Sequence, residues 1–127
     1  MREIFVFGSN REGRHGAGAA LTALRAYGAR YGQAEGLQGD SYAIITKELR
    51  PNHPRVLLKE IEVAVRLFIQ FATKHTELRF IVSPIGCGLA GFRAEAIAPL
   101  FSGSPSNVFL PEEFQVELYS AQLTQMK

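Results

Sequence analysis

Two stretches of this chain combine small residues with groups that could do chemistry. The first reads Gly8-Ser9-Asn10 and then Gly13-Arg14-His15-Gly16-Ala17-Gly18-Ala19-Ala20; the second reads Pro84-Ile85-Gly86-Cys87-Gly88-Leu89-Ala90-Gly91-Phe92. Small side chains let a ligand approach the backbone, and the free N–H groups at a helix start favour an anion, phosphate above all. Two such loops on one crevice suit a diphosphate, because each can cradle one phosphoryl group with backbone donors. The plainer reading is that glycines before a helix serve turn geometry alone. A dinucleotide-binding fingerprint does not fit. Its third glycine position is Leu21, and the second strand ends in Thr46-Lys47 where an acidic residue should hold a ribose.

Side chains near these loops each have two readings. Lys47 at a strand exit is either a solvated cation or a functional amine. His15 either contacts phosphate and relays a proton or is a solvated loop histidine. Cys87, between two glycines, is either a nucleophile or a small buried thiol, and nothing in the sequence places a base beside it. His53 and His75 read as surface residues flanking a helix. Three scattered histidines and one cysteine give no ligand spacing, so neither a metal nor a cofactor is expected.

These groups need a scaffold, and the hydrophobic pattern supplies one. Ile4-Phe5-Val6-Phe7 is short, β-branched and aromatic, which predicts a buried strand ending at Gly8-Ser9-Asn10. From Gly16, the positions Ala17, Ala20, Leu21, Leu24 and Tyr27 recur at helical spacing, and Gly28 closes the pattern. Residues 29 to 40, with Gly32, Gly36 and Gly39, read as a loop, and Tyr42-Ala43-Ile44-Ile45-Thr46 as a second buried strand. After the breaker Pro51-Asn52-His53-Pro54, the residues Leu57, Ile61, Ala64, Val65, Phe68 and Ala72 trace one face of a long helix. Phe80-Ile81-Val82 is a third strand, Ala94 to Phe101 a short helix, and Asn107-Val108-Phe109-Leu110 a fourth strand. Residues 112 to 127 fit either an edge strand or a docking helix. Alternating strands and helices predict a parallel-rich mixed sheet covered on both faces, a single three-layer α/β/α domain. Ligands of such sheets sit outside the carboxyl ends of the strands, where both glycine-rich loops begin.

The length of 127 residues fits one domain. Hydrophobic residues at 46%, charged residues at 20% and a mean hydropathy of +0.01 are values of a soluble globular protein. Fourteen Lys and Arg against twelve Asp and Glu leave a net charge of +2, too even for a nucleic-acid or membrane-surface face. One cysteine excludes an internal disulfide and fits a reducing, cytoplasmic setting. Met1-Arg2-Glu3-Ile4 leads straight into the first strand, so no export signal or anchor is expected.

Taken together and in order, four strings resemble a macrodomain: Phe7-Gly8-Ser9-Asn10, Gly16-Ala17-Gly18-Ala19-Ala20, Gly39-Asp40-Ser41-Tyr42-Ala43-Ile44-Ile45-Thr46-Lys47 and Ser83-Pro84-Ile85-Gly86-Cys87-Gly88-Leu89. The similarity spans about Ile4 to Leu110 and is greatest to the branch of the terminal ADP-ribose glycohydrolase. It implies a macrodomain-like fold with a pocket for ADP-ribose or a related NAD-derived nucleotide, as a free ligand or as part of an ADP-ribosylated substrate. Gly16, Ala17, Gly18 and Ala19 would line the diphosphate from one side, and Gly86, Cys87, Gly88 and Leu89 from the other, with Gly8, Ser9, Ile85, Ala90 and Gly91 beside them. Asn10 would stand by the distal ribose, Phe92 would be the aromatic near that sugar, and Thr46 would lie beneath. The activity implied is removal of ADP-ribosyl groups. In that branch the lysine matching Lys47 attacks the anomeric carbon, and an aspartate following the Gly-Cys-Gly-Leu run transfers a proton. Here that position is Ala90, which has no proton to transfer. A water near Asn10 or His15 is the alternative nucleophile, and a non-catalytic ADP-ribose binding module is the alternative function.

Overall fold

The computed structural model describes residues 2–126. Five strands, β1 (Arg2–Asn10), β2 (Gly36–Gln38), β3 (Ser41–Lys47), β4 (Leu78–Val82) and β5 (Val108–Phe109), form one sheet in the order β2-β3-β1-β4-β5. All neighbours are parallel except β2, which runs antiparallel to β3. Four α-helices, α1 (Gly18–Ala26), α2 (Leu58–Lys74), α3 (Ala94–Ile97) and α4 (Glu112–Gln125), complete the α/β/α arrangement expected from the pattern. A 3₁₀ turn over Ala98–Phe101 extends α3.

The period-two alternation of β1 assigns its side chains to two layers. Ile4 and Val6 join Ile44, Phe80 and Val82 on the face covered by Ile61, Val65, Phe68 and Ala72 of α2. Phe68 is the hub of this layer, with ring centroids 5.1 Å from Tyr42, 5.3 Å from Phe80 and 6.3 Å from Phe101. Truncating such a fully buried ring to alanine costs about 3–5 kcal/mol. On the opposite face Phe5, Phe7 and Ala43 pack against Ala20, Ala23 and Ala29. This layer is thin because α1 presents alanines, and that brings its start close to the end of β1.

One segment differs from the sequence reading, and another takes one of its two alternatives. Part of the expected loop at 29–40 forms β2, whose Gln38 is fully buried. The ambiguous tail is a helix, anchored by Phe114 stacked on Phe101 with centroids 5.7 Å apart. Among the described residues no helix is long and apolar enough to cross a membrane.

Candidate functional site

A cleft of about 570 Å³ opens at the carboxyl ends of β1, β3 and β4. β1 contributes Gly8, Ser9 and Asn10, and the start of α1 contributes Gly16, Ala17, Gly18 and Ala19. The loop after β4 contributes Ile85, Gly86, Gly88, Leu89 and Ala90. Residues 70 positions apart in the chain therefore meet, because β1 and β4 are parallel neighbours and their exits fall on one edge.

Thr46 and Lys47 both line this cleft, although successive residues of a regular strand point to opposite faces. The register explains it. Ser9 pairs with Ile45 but Asn10 pairs with Lys47, so Thr46 is the extra residue of a bulge that re-aims the end of β3. The Thr46 hydroxyl donates to the Ser9 carbonyl at 3.3 Å. Gly8 sits at this junction, where an added Cβ would lie 3.1 Å from Thr46 Oγ1 and 3.5 Å from the Gly86 nitrogen.

Both glycine-rich loops leave backbone donors available. Helix α1 starts at Gly18; Ala17 at its N-cap offers no side-chain cap, and no acidic residue stands in the first turn. In the opposite loop the Cys87 amide donates to Pro84 and the Gly91 amide to Gly88. Among the described residues the amides of Gly86, Gly88, Leu89 and Ala90 take no such partner. Unpaired N–H groups gathered at a surface cleft form an anion receptor.

The charged side chains that line the cleft are Arg14 and Lys47, and no carboxylate lines it among the described residues. The acidic groups nearby in sequence are held in ion pairs. Glu12 pairs with Arg14 at 2.8 Å and Arg50 at 3.5 Å; Glu48 pairs with Arg50 at 2.7 Å and Arg11 at 3.7 Å; Glu60 pairs with Arg11 at 3.1 Å. Hydrogen bonding from the Arg50 guanidinium holds the Glu48 carboxyl at a pKa of about 2. The same network ties together the loops that follow β1 and β3, since Arg11 also donates its amide to the Lys47 carbonyl at 3.1 Å.

Four residues expected at the site are placed elsewhere. His15 is fully buried and does not line the cleft; its ring packs edge-on to Phe7 with centroids 5.2 Å apart. It has no direct access to a ligand, which removes it as a proton relay. Cys87 is half-buried against the main core, and burial, with Glu113 nearby, pushes its thiol pKa up, the reverse of what a nucleophile needs. Phe92 packs on the same core under the Arg55 guanidinium, 5.1 Å from its ring centroid. Gly91 lies outside the cleft as well. Conversely, Arg14, Tyr31, Leu49 and Ser83 line it without having been singled out as site residues.

No protein-family model matches the chain. No curated protein matches it either. Solved structures do. A protein of unknown function from Bacteroides thetaiotaomicron superposes with a TM-score of 0.58, at 14% identity, over 86% of this chain and 87% of that one. A macrodomain protein from Streptomyces coelicolor aligns with a TM-score of 0.49, at 18% identity, over 85% of this chain and 86% of that one. The first likeness concerns the fold.

Proposed function

We propose that this chain is a macrodomain-type protein that binds ADP-ribose or a close NAD-derived relative in the cleft, and that it removes ADP-ribosyl groups from a substrate. One observation carries the binding half. Two loops with unpartnered amides flank one cleft whose charged lining residues, Arg14 and Lys47, are both cationic. A diphosphate is served by donors from two sides in a cleft that no carboxylate lines among the described residues; the nearest, Glu12, is held in ion pairs with Arg14 and Arg50.

The catalytic half rests on Lys47, which the bulge at Thr46 turns toward the cleft beside Asn10. In this reading the Lys47 amine, its ammonium proton lost to solvent, attacks the anomeric carbon of the ligand's distal ribose. A C–N bond forms, the bond to the attached group breaks, and the amine's proton passes through solvent to the departing group. Water then attacks the same carbon, releasing ADP-ribose and the free amine. The loops supply position and charge stabilisation while this happens. Ala90 favours a second reading, a non-catalytic binding module, because it lines the cleft without a group that can transfer a proton.

Calorimetric titration with ADP-ribose, ADP and adenosine tests the binding half. ADP-ribose and ADP should bind and adenosine should not. Equal binding of adenosine and ADP-ribose would remove the diphosphate from the account.

A further inference from the structure

Among the described residues the cleft is lined by one aromatic ring, and it is Tyr31 rather than Phe92. Tyr31 belongs to neither glycine-rich loop. It stands in the turn between α1 and β2 with 64% of its surface exposed. The turn is seated on the loop after β1: the Gly32 amide donates to the Gly13 carbonyl at 2.8 Å, which sets Tyr31 at the Asn10–Arg14 end of the cleft. An exposed tyrosine is ordinarily a mobile surface residue. Here the buried side chains beneath it say otherwise.

The Tyr31 ring meets the edge of His15, with centroids 6.4 Å apart and planes at 69°, and His15 in turn meets Phe7 at 86°. His15 is locked by Gln38. The Gln38 Oε1 accepts the Arg30 amide at 2.8 Å, and its Nε2 donates to the Gln33 carbonyl at 3.1 Å, which fixes which end of the amide is oxygen. The His15 Nε2, 3.1 Å from that oxygen, must therefore be the donor. Its Nδ1 has no partner among the described residues. The fold thus buries a histidine and a glutamine, at the cost of an unsatisfied acceptor, directly under one exposed ring. Hydrophobic side chains would fill that layer with no unpaired atom, but they would not hold the 30–33 turn through hydrogen bonds.

We infer that Tyr31 is a specificity-determining residue that packs on the part of the ligand beyond the diphosphate at the Asn10 end of the cleft, and that His15 is a positioning residue that holds the Tyr31 ring there through Gln38. This rests on the binding proposal above. Because Lys47 pairs with Asn10 and is the proposed attacker of the anomeric carbon, the occupant at that end is the distal ribose, whose C–H face suits an aromatic ring while its hydroxyls can reach the phenol.

The test compares ADP-ribose with ADP, which lacks the distal ribose. Tyr31→Ala should weaken ADP-ribose roughly fivefold to tenfold and leave ADP unchanged, while Tyr31→Phe separates the ring from the hydroxyl. The chain has no tryptophan and four tyrosines, so tyrosine fluorescence reports directly. ADP-ribose should change it in the native protein, and Tyr31→Phe should abolish most of that change. His15→Ala should weaken ADP-ribose as Tyr31→Ala does, and the double variant should be no weaker than Tyr31→Ala alone. His15→Gln, which keeps a donor for Gln38, should recover part of the affinity and serves if His15→Ala does not fold. ADP-ribose affinity unmoved by Tyr31→Ala, or equal losses for ADP and ADP-ribose, would overturn this inference alone. No binding of either nucleotide by the native protein would overturn the binding proposal and this inference with it.

Discussion

The carboxamide of Asn10 clasps the backbone of Arg14 in both directions, its Nδ2 donating to the Arg14 carbonyl at 2.8 Å while its Oδ1 accepts the Arg14 amide at 2.9 Å. Asn10 is almost fully buried, and the clasp closes the loop that carries Arg14 to the cleft. One donor and one acceptor position of the amide remain for a ligand or a water. Asn10 is thus first a fastener of the site's wall. Asn10→Ala removes both bonds and should cost about 2 kcal/mol of stability, at roughly 1 kcal/mol per bond. It should also weaken ADP-ribose binding as Arg14 loses its place. Chemical denaturation of the two proteins checks the first effect, and an unchanged midpoint would mean that the clasp is not stabilising.

Two glycines near the cleft should respond in opposite ways. An added Cβ at Gly88 meets nothing within 4 Å, so Gly88→Glu should fold normally and abolish nucleotide binding by placing a carboxylate in the anion cradle. Gly13 has φ +68° and its Cβ would lie 2.6 Å from the Gly32 carbonyl carbon, a clash with backbone. Gly13→Ala should therefore destabilise the fold by more than about 1 kcal/mol. Circular dichroism melts and titration on the same samples separate the two outcomes. Nucleotide affinity that survives Gly88→Glu would take that loop out of the site.

Lys47 divides the hydrolase from the binding module. Lys47→Ala should eliminate turnover of an ADP-ribosylated substrate while ADP-ribose still binds, weakened by the loss of one of the cleft's two cations but held by the intact amide-bearing loops. Ala90→Asp should raise turnover of bound substrate about 100-fold or more by adding a carboxyl that transfers a proton, and should weaken ADP-ribose binding because that carboxyl stands beside the Gly86–Ala90 amides. Mass spectrometry after acid quench should find an adduct on Lys47 in the native protein. ADP-ribose binding with neither adduct nor turnover in the native protein would favour the module; turnover that persists in Lys47→Ala would pass the attack to a water.

The ion-pair network gives stability a pH dependence of known sign. Arg50 holds the Glu48 carboxyl at about 2 against an ordinary 4.5, and only 2% of that side chain is exposed. A carboxyl lowered by folding stabilises the native state above the unfolded value, and loses that contribution as pH falls from about 4.5 through about 2. Glu48→Gln should therefore melt lower than the native protein at pH 7, with the gap closing as pH falls from 5 to 2. A gap of constant size across that range would show that the carboxylate's charge is not what stabilises the network.

Much of this fold can be read from the chain because β1, β3, α1 and α2 carry strong periods. Strand β2 escapes such reading. Gly36-Leu37-Gln38 has no apolar alternation, and its pairing depends on Ser41, Tyr42 and Ala43 across a turn. Helix α4 is blurred by its own surface, since exposed Val116, Tyr119 and Leu123 are apolar alongside the inward Phe114. At the site, glycine-rich loops mark where a ligand can approach, but loops have no period to say which way each side chain turns. That is why Cys87 and Phe92 face the core while their neighbours Gly88 and Leu89 line the cleft. His15 is in the right loop and on the wrong side of it. Tyr31 and Leu49 reach the cleft through tertiary packing that no local pattern encodes.

The most direct measurement is a crystal structure of the protein with ADP-ribose bound. The diphosphate should lie between the start of α1 and the Gly86–Ala90 segment, its oxygens about 3 Å from backbone amides. The distal ribose should lie at the Asn10 end, with its anomeric carbon facing the Lys47 amine and its ring against Tyr31. A diphosphate bound outside these two loops, or a distal ribose at the end away from Lys47, would contradict the proposed function.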